Sequence, residues 1–101
     1  MSTWLNKINV VFSKIDKTPV TIEDINYIYK HLDRDCLVAQ NPFQKHEAIL
    51  HQEDITWSGW KKDLEDFCSN TEGFSVYARV CDEYGNQDIF SKKSYGKVHR
   101  K

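Results

Sequence analysis

The apolar positions of this chain change their period as it runs, and the changes mark its elements. Over residues 2–16, Trp4, Leu5, Ile8, Val11, Phe12 and Ile15 recur close to every 3.6 residues. One apolar stripe of that kind predicts an amphipathic helix, with Ser2 or Thr3 as its cap. Lys17–Thr18–Pro19 ends it, because the residue before a proline is pushed out of the α region. A second helix is predicted from Thr21 to Arg34, with Ile22, Ile25, Ile28, Tyr29 and Leu32 on its buried side. Thr21 and Asp24 have the spacing of a capping box, and Lys30, His31 and Arg34 sit where positive charge suits the helix dipole. The apolar run Cys36–Ala39 and the segment His46–His51 read as two strands joined around Asn41–Gln44, where Asn41–Pro42 signals a turn. Ser58 is placed to cap a third helix from Gly59 to Ser69, and Trp57, Trp60, Leu64, Phe67 and Cys68 are spaced for its apolar face.

From Phe74 to Asp82 the pattern becomes a strict alternation. Phe74, Val76, Ala78 and Val80 point one way, and Ser75, Tyr77, Arg79 and Cys81 the other. Glu83–Tyr84–Gly85–Asn86 reads as a hairpin turn, and the return strand runs from Gln87 to Lys93. A loop centred on Tyr84–Gly85 pairs Val80 with Ile89, Arg79 with Phe90, and Tyr77 with Lys92. The predicted order is α-α-β-β-α-β-β, an α+β domain over residues 1–93 with a mostly antiparallel sheet and helices on one face. Residues 94–101 follow as a basic tail.

Charge changes this picture most. Residues 1–89 hold nine Lys/Arg and fifteen Asp/Glu, a net charge of −6, and residues 90–101 add five cations and no acid. An acidic body with a basic end points to charged partners. The length suits one domain with a real core. Residues 1–16 are polar every few positions and lack the apolar stretch of a signal peptide or membrane span. Three widely spaced cysteines do not suggest a disulfide scaffold, so a reducing, cytoplasmic setting is expected.

Candidate chemistry is sparse. His31, His46, His51, His99 and the cysteines lack metal-ligand spacing, so neither a metal nor another cofactor is expected. Cys36 and Cys68 fall on apolar faces, whereas Cys81 faces away and should be the thiol most open to a probe. No nucleophile elbow, phosphate loop or metalloprotease motif occurs. Acid pairs such as Asp33/Asp35 and Glu53/Asp54 read as solvated surface.

These observations favour a small non-enzymatic binding protein. In size, charge and missing catalytic motif it is similar in type to bacterial or phage accessory proteins that block another macromolecule, such as immunity proteins and anti-defence inhibitors. Its acidic body would steer toward a basic protein partner such as a nuclease. The candidate contacts are Glu53, Asp54, Asp63, Glu65 and Asp66, with Trp57 as an apolar anchor. An alternative is RNA or single-stranded nucleic-acid binding through Tyr77, Arg79, Phe90, Lys92 and Lys93, joined by Lys97, Arg100 and Lys101 of the tail. A third reading is a small subunit of a larger assembly. No membrane partner is expected, and the oligomeric state is left open.

Overall fold

A computed structural model of the chain describes residues 6–96. The elements run β1 (Asn6–Lys14), α1 (Ile22–His31), β2 (Val38–Gln40), β3 (Glu47–Ile55), α2 (Trp57–Asn70), β4 (Phe74–Cys81) and β5 (Gln87–Lys93). The five strands form one sheet in the order β2-β3-β1-β4-β5. Every neighbouring pair is antiparallel. The α+β class and the antiparallel sheet are as the sequence predicts. The first six elements trace two split βαβ units, each skipping one strand position. The last strand extends the sheet beyond β4.

The first described element differs from the prediction: β1 is the central strand, not a helix. Ile8 and Phe12 are four apart, so they share a face under either period. Val10 and Val11 decide between the two. Ile8, Val10 and Phe12 are buried and Val11 faces outward, which is the two-residue period of a strand. The β-branched residues Ile8, Val10 and Val11 suit a pleated surface. The pairing of β1 with β3 and β4 gives its backbone groups partners on both sides.

Both helices cover the face that carries Ile8, Val10, Phe12, Ala48, Leu50, Phe74, Val76, Ala78 and Val80. Phe67 of α2 meets Phe12 edge-on at 5.1 Å and lies 6.2 Å from Phe74, which stacks on Tyr27 of α1 at 6.0 Å. This aromatic chain ties the two helices to β1 and β4. Helix α1 has the expected capping box, with Thr21 and Asp24 satisfying each other's backbone N–H groups. Asp24 also binds Lys14 of β1 at 2.8 Å, fixing the helix start to the sheet. Helix α2 begins two residues earlier than predicted, with Thr56 as its N-cap residue.

The β4–β5 register also differs. Asp82 N–H bonds to Asn86 C=O, and Gly85 has φ +90°. The connection is therefore a three-residue loop with glycine in the left-handed position, not a two-residue turn. Val80 pairs with Asp88, Ala78 with Phe90 and Tyr77 with Ser91. A one-residue slip exchanges the two faces of a strand, so Phe90 and Lys92 turn toward the helices.

Beyond β5 the chain hooks onto the end of α2. Tyr95 N–H bonds to Cys68 C=O and Gly96 N–H to Thr71 C=O, which satisfies carbonyls that a helix end leaves open. A side chain at Gly96 would put its Cβ 2.2 Å from the Ser69 carbonyl oxygen. Gly96→Ala should destabilise the fold by about 1–3 kcal/mol through this overlap. A urea midpoint equal to wild type would show that the segment does not dock here.

Candidate functional site

The six residues predicted to meet a protein partner separate into three places. Glu53 and Asp54 lie at the end of β3, where the β1 pairing skips from Asn6–Ile55 to Lys7–Glu53. Asp54 is the extra residue of this bulge and holds φ +57°, a conformation that Asp tolerates better than most residues. The bulge shifts the phase of the strand, so Ile55 is buried while Glu53 stays exposed. Asp63 joins this side through Arg34, whose Nε donates to Asp63 Oδ2. Trp57 and Glu65 point toward β5: Trp57 Nε1 donates to Asp88 Oδ2 at 2.7 Å, and Lys92 Nζ donates to Glu65 at 2.9 and 3.2 Å. Asp66 pairs along the exposed helix surface with Lys62 at 3.1 Å.

Most of these charges are already engaged. The hydrogen bond from Trp57 holds the Asp88 carboxyl below its usual range. The bond to Glu65 pushes the Lys92 ammonium upward. Glu53 is held low by its hydrogen bond with His51, at 3.1 Å, and by the charge of Lys7. Asp54 makes no ion pair among the described residues, and neither do Asp33 and Asp35 beside Arg34.

Three of the acids share a concavity. Arg34, Asp35, Gln52, Glu53, Asp54, Ile55, Thr56 and Trp60 line a groove of about 350 Å³ between the β3 bulge and the α1–β2 connection. The exposed carboxylates of Asp35, Glu53 and Asp54 can pair with the head of an incoming Lys or Arg, while Trp60 and Ile55 form the buried floor. Arg34 shows the arrangement within the molecule: its guanidinium sits 4.8 Å from the Trp60 ring centre while bonded to Asp63. The sequence shows Asp33/Asp35 as a charged pair, but only the sheet order brings Asp35 to Glu53 and Asp54.

Charge also separates by layer. The helices and the segments that follow them, residues 22–35 and 57–72, carry eight carboxylates and four Lys/Arg. The uncovered sheet face carries Lys7, Arg79 and Lys93 against Glu47 and Glu53.

The described residues of the nucleic-acid alternative are split between the two faces of the sheet. Tyr77, Arg79 and Lys93 remain on the uncovered face, opposite Ser91, Ile89 and Ser75. Phe90 is buried in the core and Lys92 is turned to Glu65. Lys97, Arg100 and Lys101 lie outside the described residues.

No protein-family model, curated protein or solved structure matches the chain.

Among the described residues no group of three or more His, Cys, Asp or Glu side chains could hold a metal ion. No described helix is long and apolar enough to cross a membrane. The three thiols are free, with Cys68 buried and Cys36 and Cys81 half-buried. Burial, and then the charge of Glu65, push the Cys68 thiol up to about 11. A disulfide-exchange reagent at neutral pH should therefore label Cys81 first and Cys36, whose thiol burial also pushes up, more slowly, and reach Cys68 only on unfolding. Labelling of Cys68 at the rate of either of the other two would place it outside the core.

Proposed function

We propose that the protein is a small non-enzymatic binding module that receives a basic macromolecular partner at the end of β3, beside the helices, and blocks it, in the manner of an inhibitor or immunity protein. The observation that carries this reading is the groove lined by the exposed carboxylates of Asp35, Glu53 and Asp54 together with Arg34. The excess of carboxylates over the helix layer supports it, since a field of one sign steers association with a partner of the other. Trp57 takes a lesser role than the sequence suggests, as its indole N–H is held by Asp88. A nuclease, whose own site must attract phosphate, has the surface chemistry that such a groove fits.

A fluorescently labelled Lys/Arg-rich peptide is the simplest probe. The triple variant Asp35→Asn, Glu53→Gln, Asp54→Gly removes the rim charges, and glycine suits the positive φ at residue 54. Its association rate with the peptide at low salt should fall about tenfold or more. An association rate equal to wild type would remove the groove from the reading.

A further inference from the structure

The sheet face opposite the helices carries a second feature, centred two rows away from Glu53, the residue it shares with the acidic groove. Ala39, Ile49, Val11, Tyr77 and Ser91 lie in one row across all five strands. Three of the five are large and apolar, where the outer face of an antiparallel sheet is ordinarily polar. Ile49 is 37% exposed, Tyr77 42% and nearby Ile89 51%. A contiguous apolar patch with a charged rim marks an interaction surface.

The shape of this face says what covers it. Between β1 and β3 is a shallow depression of about 260 Å³, lined by Asn9, Val10, Val11, Ile49, Leu50 and His51. Tyr77 stands on β4, about one and a half strand spacings away, or roughly 7 Å. Knob and hollow on one face, offset across its middle, are exchanged by a two-fold axis running along β1 close to Val11. Such an axis places each Tyr77 in the other copy's hollow, the mutual contact that an isologous interface requires.

We propose that two copies of this chain pack sheet face to sheet face, each seating Tyr77 in the depression between β1 and β3 of the other. Charge favours a second copy. This face carries three Lys/Arg and two carboxylates of mixed sign, whereas the helix layer is acidic and repels its like. A base-stacking platform fits less well, because Tyr77 is the only Phe, Tyr or Trp facing outward on the described strands and Val11 and Ile49 occupy the central positions. Four rows of side chains on four strands, with Ala39 of the short β2 added in one row, give a footprint of about 20 by 20 Å, so the pair would bury about 800 Å² in total. That area is at the small end for a protein interface, and a weak dimer is expected.

Sedimentation equilibrium from about 5 to about 500 µM tests this over the range where such an interface titrates. The mass should rise from 11.9 kDa toward twice that value. Tyr77→Ala and, separately, Ile49→Lys should each weaken association about tenfold or more while the circular dichroism stays native. In amide spectra, dilution should shift β1, β3 and β4 residues around Val11, Ile49 and Tyr77. A monomer at the highest concentration would overturn the proposal. So would a dimer indifferent to both variants, or one whose shifts centre on β5.

Discussion

Val10→Asp will leave the protein largely unfolded at 37 °C, while Val11→Asp will fold. Val10 is 1% exposed in the central strand, between paired strands and beneath the helices. A carboxylate there has no cationic partner, and an uncompensated buried charge costs about 3–5 kcal/mol. Domains of this size are stable by about 5–15 kcal/mol, so the loss takes most or all of what is present. Val11 points to the uncovered face, where an Asp reaches water and should cost below about 1.5 kcal/mol. A helix over residues 2–16 predicts the opposite, because Val11 belongs to its apolar stripe and Val10 does not. Urea titrations of the two variants decide the matter. Greater damage from Val11→Asp would contradict the central strand.

Phe67→Ala is expected to cost about 3–5 kcal/mol, the range for deleting a fully buried aromatic side chain. Phe67 is 0% exposed and is the member of the aromatic chain that joins α2 to Phe12 and Phe74. Alanine would leave a cavity bounded by the sheet below, and the sheet cannot collapse to fill it because β1 and β4 are pinned by their pairing. Edge-to-face contacts of this kind add about 0.5–1.5 kcal/mol to the burial. Phe67→Leu keeps much of the volume and should recover most of the loss. A loss below about 1 kcal/mol for Phe67→Ala would mean that α2 does not pack on these strands.

The sequence made some of this legible and hid the rest for physical reasons. The capping box of α1, the apolar face of α2 and the alternation of β4 are local patterns, and all three appear in the fold. Strand β1 was hidden because Ile8 and Phe12 satisfy a helical and a strand period equally. Only its neighbours β3 and β4, more than thirty residues away in the chain, decide which face of Val10 and Val11 is covered. The sequence places Phe90 and Lys92 on the wrong face because a loop of two residues and a loop of three differ by one step in register. The acidic groove was half visible. Glu53 and Asp54 stand out as neighbouring acids, but their approach to Asp35 follows from the bulge and the order of the strands.

The most direct test of the acidic groove compares two labelled probes by fluorescence anisotropy at low and moderate salt: a Lys/Arg-rich peptide and a single-stranded oligonucleotide. Saturable binding of the peptide, weakened in the triple rim variant, and none of the oligonucleotide is the expected result. Tight oligonucleotide binding that collapses with salt, with no binding of the peptide, would contradict it.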